Sequence, residues 1–382
     1  MLLSKLNYLC DKFFFNKIDI FNLLRSIAII CVILAHTPIL IIQSFNLETY
    51  PFYFNTPAWM AMWIFFFLSG YLLGKGFYNN KYELSKQGIL KFYKSRLIRI
   101  LPLYFLLLFI VFIFYNPDWF IKNPINVLRL FTFTYNGIGG INGTGHTWFI
   151  SAIVQLYILA PFGYKLLSKF DKNKKSLWIL FFVLLAFGIG YRLLTDLFKL
   201  NYYKYVLTFS IANIDLFFGG MLLNSVTKNS ADNVWKSLLR PISLLIFLGL
   251  MLSYTLPVID LSWWVYDYIY PTLTFLALIL VTISNDYEGK TKPLPVTFLS
   301  VLKNPLRIVE YIGIISFNMY LFHANIIEMV TNLFKQYNLQ VVFTGNSIFV
   351  AIFFVMFIIT FIFSIFLHYV IEMPMNTLRR KM

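Results

Sequence analysis

Ten separate apolar runs constrain the fold of this chain more than any other feature. A helix needs about 20 predominantly apolar residues to cross the hydrocarbon core of a bilayer, and each run approaches that length. The runs lie at about residues 20–42, 57–77, 98–115, 147–167, 177–195, 203–225, 241–258, 264–284, 311–333 and 346–371. The sequence therefore predicts an all-α fold, a polytopic membrane helix bundle of about ten transmembrane helices.

The composition excludes a soluble or a disordered protein. Hydrophobic residues make up 59% of the 382 residues and charged residues only 13%, against about 25% charged residues in ordinary soluble domains. So few charges cannot cover a soluble globule, and a disordered chain would not carry so much apolar mass. Because no polar stretch is long enough for a second domain, we expect a single membrane domain over residues 1–382 without a soluble extension.

The distribution of Lys and Arg predicts the side of the membrane that each loop faces. With a cytoplasmic N-terminus, ten spans place 26 of the 32 Lys and Arg residues in cytoplasmic segments and 6 in outer loops. Cytoplasmic loops of membrane proteins collect these residues. We therefore expect both termini in the cytoplasm. The same pattern accounts for the net charge of +16 without a nucleic-acid partner, so the expected partner is the lipid bilayer.

The first apolar run carries two ionisable residues, Arg25 and His36. Ionisable groups inside a span are costly and mark functional sites by default. On an α-helix, residues eleven positions apart are rotated about 20° beyond three full turns and are separated by about 16 Å along the axis. Both side chains therefore share one face, and His36 lies deeper in the membrane. Coenzyme A, with phosphates at one end and a long thin arm, suits this spacing. Alternatively, Arg25 is a snorkelling anchor and His36 is a polar group satisfied between helices.

Other polar residues of the spans are candidates for the same site. Arg96 and Arg99 are three residues apart at the cytoplasmic end of the third run, where two guanidinium groups can hold phosphates or follow the positive-inside pattern. His323 lies about 18 Å into the ninth run, a depth similar to that of His36, so the two histidines can share a site. Asp215, at a comparable depth, is a candidate to orient a histidine or to pair with a Tyr or Asn.

Metal and serine-hydrolase chemistry are not predicted. The four histidines are scattered along the chain and no Cys/His spacing fits zinc. No Gly-x-Ser-x-Gly segment is present, so the serine nucleophile of soluble hydrolases is not expected. His368 and Glu372 are four residues apart near the end of the last run, which predicts a local structural pair.

Six short motifs in sequence order resemble those of the acyltransferase-3 family of membrane acyltransferases. They cover nearly the whole chain: Arg25…His36, Phe65–Tyr71 with Ser69, Arg96–Tyr104, His146–Pro161 with Trp148, Tyr320–His323, and Glu372–Pro374. Two positions depart from the family's pattern. Asn22 stands where many members have Asp, and Ile153 stands where some branches have Glu.

The resemblance implies an activity and a location. Family members move an acyl group from cytoplasmic acyl-CoA to a hydroxyl on the far side of the membrane, typically on a surface polysaccharide, a lipid-linked glycan or peptidoglycan. The resemblance therefore implies a multi-pass protein of a bacterial cytoplasmic membrane and a glycan acceptor. The co-substrate would be acyl-CoA, most commonly acetyl-CoA with succinyl-CoA as the alternative, and no cofactor would be permanently bound. Other members carry a soluble esterase-like domain that completes the transfer. For this chain, an unidentified partner protein would supply that domain.

The resemblance also assigns roles to residues. Arg25, Arg96 and Arg99 would hold the CoA phosphates. His36 would act as a general base or form a transient acyl-imidazole, and His323 would orient the acceptor or stabilise the oxyanion. Supporting roles would fall to Ser69, Trp148, Tyr320 and Asp215. The Trp148 ring would stack on a sugar near the outer mouth or, alternatively, anchor the membrane interface.

Two other functions fit parts of the sequence. A transporter or flippase could move a glycan or an acyl-CoA without chemistry, since a helix bundle with buried charges permits it. The Arg25…His36 pair and the lack of an evident internal repeat argue against that function. A scaffold in a biosynthetic complex is the third interpretation, and it predicts that His36 tolerates substitution.

Overall fold

All regular secondary structure in the described part of the chain is helical. The computed structural model describes residues 19–115, 117–137, 143–170, 173–200, 208–227, 234–256, 268–285 and 307–381. The α-helices are α1 (Ile20–Phe45), α2 (Ala58–Tyr78), α3 (Lys86–Ile110), α4 (Trp119–Lys122), α5 (Pro124–Phe131), α6 (Trp148–Leu167), α7 (Lys174–Leu197), α8 (Ile214–Thr227), α9 (Val234–Thr255), α10 (Tyr270–Asn285), α11 (Arg307–Gln336), α12 (Asn346–Leu367) and α13 (Met373–Lys381). The all-α prediction is confirmed, and each predicted apolar run contains a helix.

The described helices have the length and surface of a membrane protein. Six segments are long and apolar enough to cross a bilayer: Ile20–Phe45, Phe52–Tyr78, Lys86–Phe114, Gly145–Phe170, Lys175–Leu197 and Asn346–Arg379. Large hydrophobic side chains are exposed along these and neighbouring helices, among them Phe109, Phe114, Ile179, Leu245 and Ile362. Lipid accommodates such a surface, whereas water does not.

The full count of ten spans and the side of the membrane that each end faces stay predictions. Three of the four basic residues counted at the N-terminus, Lys5, Lys12 and Lys17, lie outside the described ranges. The runs predicted at 203–225 and 264–284 also begin outside them, so only α8 and α10 represent these runs.

Helices α1 and α11 run side by side in the same direction. Near their first turns, a Cβ atom on Gly313 would lie only 2.0 Å from the backbone oxygen of Asn22, so glycine is what permits the helices to approach this closely. Further along, the ring centroids of His36 and His323 are 5.0 Å apart. The close contact at the start of the two helices therefore sets the distance between their histidines.

Glycines also bring α2 and α8 together. A Cβ atom on Gly70 would lie 1.8 Å from the backbone oxygen of Phe217, and one on Gly220 would lie 2.4 Å from the backbone oxygen of Phe67. Gly70 belongs to the Phe65–Tyr71 motif and directly follows Ser69. Its place in the motif thus has a packing reason, because it lets α8 support the helix that carries Ser69.

Candidate functional site

A pocket between α1, α2, α3, α6 and α11 contains all three arginines predicted to bind phosphates. Arg25, Arg96 and Arg99 line it together with Ser69 and Tyr320. The pocket is partly open and narrow, with a cavity volume of about 80 Å³. Its described lining includes no Asp or Glu. Three like charges gathered in a partly enclosed space repel one another, so the pocket favours an anionic ligand.

Arg25 is held at the pocket by its own helix. Its Nη1 atom donates to Asn22 Oδ1 at 3.0 Å. Asn22 is one of the two positions that depart from the family's pattern, and its amide oxygen still provides the acceptor that orients the guanidinium. Since the amide is neutral, this hydrogen bond adds no negative charge beside Arg25. The other departure, Ile153, lines the same pocket.

Arg96 sits in a cage of aromatic rings. Its guanidinium carbon lies 5.7 Å from the ring centroid of Phe92, 5.8 Å from that of Tyr82 and 5.9 Å from that of Tyr157, distances at which a cation is attracted by an aromatic face. Its Nη2 atom donates to the Tyr82 hydroxyl at 2.8 Å. The cage fixes the direction in which Arg96 presents its charge.

Tyr82 lies in the loop after α2 and is part of this arrangement, although no sequence pattern singled it out. Its hydroxyl is also 3.1 Å from Ser95 Oγ. Burial acts to raise the pKa of the Tyr82 phenol, but the Arg96 guanidinium and the hydrogen bonds outweigh burial and leave that pKa below its usual value. The Tyr82 hydroxyl thus connects Arg96 with Ser95 at the edge of the pocket.

The two predicted catalytic histidines meet, and a third histidine joins them. His36 and His323 form an edge-to-face pair with centroids 5.0 Å apart. The centroid of His146 lies 5.2 Å from that of His323, so His323 contacts both other rings. The sequence placed His146 only at the start of a motif. His146 and His323 are 177 residues apart, and their contact depends on how the turn before α6 packs against α11, so the sequence did not predict it.

Backbone carbonyls fix the hydrogen positions on these rings. His36 Nδ1 lies 2.8 Å from the Val32 oxygen, and His323 Nδ1 lies 2.7 Å from the Tyr320 oxygen. A carbonyl oxygen only accepts, so Nδ1 carries the hydrogen in both rings and, in the neutral form, Nε2 is an acceptor. The Nε2 atom of His323 is buried and has no hydrogen-bond partner among the described residues.

This arrangement bears on the two roles considered for His323. Its one ring N–H is committed to a backbone oxygen, so the neutral ring has no hydrogen left to donate to an oxyanion. Its free Nε2 can instead accept a hydrogen bond from a hydroxyl. The geometry therefore favours orientation of an acceptor hydroxyl over stabilisation of an oxyanion.

Tyr320 joins the arginine pocket to the histidines. Its side chain lines the pocket, and its ring centroid is 5.7 Å from that of His323 and 5.8 Å from that of His146. Its hydroxyl donates to the His146 carbonyl. The described lining of the pocket includes none of the three clustered histidines, so Tyr320 is the residue through which the arginine pocket and the histidine cluster adjoin.

Two predicted supporting residues have other partners. Trp148 is only 6% exposed and its ring lies 5.8 Å from that of Trp59, so protein covers most of its surface. Asp215 accepts from Arg192 Nη2 at 3.0 Å, with both side chains 3% exposed. The carboxylate thus pairs with an arginine of α7 rather than with a histidine, Tyr or Asn.

The remaining histidine forms the predicted local pair. His368 Nδ1 lies 2.8 Å from Glu372 Oε2, and Asn318 donates to the same oxygen at 3.3 Å. Within the described ranges, no group of three or more His, Cys, Asp or Glu side chains is arranged to hold a metal ion.

A family model described as an acyltransferase domain matches residues 18–368. The chain belongs to the acyltransferase-3 family. The matched range includes every helix that lines the arginine pocket and the three clustered histidines, and the resemblance seen in the six motifs is confirmed. No curated protein and no solved structure matches the chain. The family membership and the apolar helices together identify a membrane acyltransferase.

Proposed function

We propose that the protein is an O-acyltransferase of a bacterial cytoplasmic membrane. It would transfer an acyl group, most simply acetyl, from cytoplasmic acyl-CoA to a hydroxyl of a polysaccharide or lipid-linked glycan on the outer side. One observation carries the proposal: the pocket lined by Arg25, Arg96 and Arg99 extends to Tyr320, which contacts His323 in the histidine cluster.

The arginines serve as the anchor for the CoA phosphates. Guanidinium groups bind phosphate oxygens with paired, charge-assisted hydrogen bonds, and an anion relieves the repulsion between the three positive charges. Arg25 and His36 lie about 16 Å apart along α1, a distance suited to the pantetheine arm between the phosphates and the thioester. Ser69, on the pocket wall, offers a hydroxyl along this path.

His36 serves as the general base for transfer. Its Nε2 takes the proton from the acceptor hydroxyl, whose oxygen attacks the thioester carbonyl. A C–O bond forms, the C–S bond breaks, and the imidazolium returns the proton to the departing sulfur. Products are an O-acyl glycan and free CoA. His323, with a free Nε2 beside this ring, accepts a hydrogen bond from a second hydroxyl of the acceptor sugar and so orients the reacting hydroxyl toward His36.

The test is the appearance of both products. The purified protein in nanodiscs is supplied with acetyl-CoA and a panel of bacterial surface glycans, free CoA is titrated with a thiol reagent, and the glycans are analysed by mass spectrometry. We expect CoA release that depends on one class of glycan and an equal amount of acetylated glycan. The same protein is also reconstituted into sealed vesicles. Movement of a glycan or of acyl-CoA across the vesicle membrane without release of free CoA would overturn the proposal in favour of a transporter.

A further inference from the structure

We infer that His146 is a positioning residue for acyl transfer, which fixes the His323 ring beside His36 from the acceptor side. The inference rests on the proposed function, in which His36 and His323 handle the acceptor hydroxyl. His146 belongs to the turn Gly145–Thr147 that leads into α6.

The turn is fastened to the part of α11 that carries His323. The Nε2 atom of His146 lies 2.8 Å from the Leu321 oxygen, so it carries the hydrogen and donates to that carbonyl. In return, the Tyr320 hydroxyl donates to the His146 carbonyl. These two bonds hold the residues just before His323 from outside their own helix.

A second contact fastens the residues just before this turn to the next turn of α11. Asn325 donates to the Gly143 carbonyl at 3.3 Å. Gly143 has a φ of +80°, and a Cβ atom there would lie 2.5 Å from the Asn325 amide nitrogen. Only glycine combines this backbone conformation with such a close approach. The segment therefore follows α11 from Asn325 back to Tyr320, with His323 between the two.

The His323 ring is oriented by a hydrogen bond within its own helix and by the rings around it. Its own hydrogen bond runs to the carbonyl of Tyr320, the residue that His146 holds, and its Nε2 has no partner among the described residues. The rings of His146, His36 and Tyr320, with centroids 5.2, 5.0 and 5.7 Å from its own, surround it. Removing the His146 side chain takes away one of these three rings and the hydrogen bond to the Leu321 carbonyl, so the His323 ring can shift. Misplacement by about 1 Å of a group that orients a reactant can lower the rate about 100-fold.

The position of His146 predicts which kinetic constant changes. The turn follows the connection that the charge distribution places outside, whereas the arginines lie toward the cytoplasmic ends of their helices. His146 therefore acts on the acceptor side, and its loss should lower kcat without changing the KM for acyl-CoA.

The experiment compares three variants of the full-length protein in nanodiscs. His146→Gln keeps an N–H that can donate to Leu321, His146→Phe keeps a ring without that donor, and His146→Ala keeps neither. We expect kcat to fall about 10- to 100-fold in the Ala and Phe variants and to stay within about fivefold of wild type in the Gln variant, with the KM for acetyl-CoA unchanged in all three. Wild-type kcat in the folded Ala or Phe variant, or a Gln variant as slow as Phe, would overturn the inference.

A second measurement does not depend on activity. Diethylpyrocarbonate modifies neutral, accessible imidazoles, and mass spectrometry locates each adduct. His323 is fully buried, whereas His36 is partly exposed, so the wild type should react at His36 far faster than at His323. We expect the Phe and Ala variants to raise labelling of His323 at least fivefold and the Gln variant to leave it low. Unchanged labelling of His323 in folded variants would refute the positioning role even if no acceptor supports turnover, while a raised signal without turnover would count against the proposed function alone.

Discussion

Replacement of Gly313 by alanine should inactivate the enzyme from a distance. The added Cβ would lie 2.0 Å from the Asn22 oxygen, whereas ordinary contacts begin at 3.4 Å, so α1 and α11 must separate by about 1.4 Å. Asn22 orients Arg25, and the same two helices carry His36 and His323. Because a misplacement of about 1 Å can cost about 100-fold in rate, we expect kcat for acetyl transfer to fall about 100-fold and the KM for acetyl-CoA to rise.

The matched control for this prediction is Gly190→Ala in α7. A Cβ atom there would meet nothing within 4 Å, so the same chemical change should leave activity intact, and the higher helix propensity of alanine should slightly stabilise the protein. CoA release is measured for both variants after thermal unfolding has shown that they are folded. A Gly313→Ala variant as active as Gly190→Ala would refute the conclusion that the α1–α11 contact sets the geometry of the site.

Two further predictions concern the surroundings of the site. Asp215→Ala should lower the free energy of unfolding by about 3–5 kcal/mol, because it leaves Arg192 as an unpaired buried charge. The control, Asp118→Ala, breaks an exposed ion pair of the same 3.0 Å length and should cost less than about 1 kcal/mol. Equal melting temperatures of the two variants in detergent would contradict this prediction. Tyr82→Phe removes the hydroxyl that accepts from Arg96 at 2.8 Å. Because a hydrogen bond to a charged group contributes about 1.5 kcal/mol, the KM for acetyl-CoA should rise about tenfold at constant kcat. An unchanged KM would show that acyl-CoA binding does not depend on the orientation of Arg96 by Tyr82.

The sequence predicted the parts of the site that lie along single helices. Helical geometry puts Arg25 and His36 on one face of α1, and depth in the membrane puts His323 level with His36. Both relations follow from counting residues along regular helices. The structure brings these residues together because α1 and α11 are parallel neighbours, a relation that residue counting along each helix does not contain.

The parts that the sequence did not predict depend on contacts between elements. His146 and Tyr82 lie in a turn and a loop, where no periodicity indicates the direction of a side chain. Asp215 was judged by depth alone, but Arg192 of the neighbouring helix neutralises it. Trp148 was judged by its residue type, which is typical of membrane interfaces, but packing against Trp59 buries it. In each case the partner comes from a different element.

The roles of the arginine pocket and the histidines are tested most directly by His36→Ala. Acetyl-CoA binding and acceptor-dependent CoA release are measured on the same purified sample, beside Cys31→Ala, a mild change on the same helix. The account predicts that His36→Ala binds acetyl-CoA within about threefold of wild type and releases no CoA above background, while Cys31→Ala does both normally. CoA release by His36→Ala at the wild-type rate would contradict the account and move the base elsewhere, with His323 the next candidate.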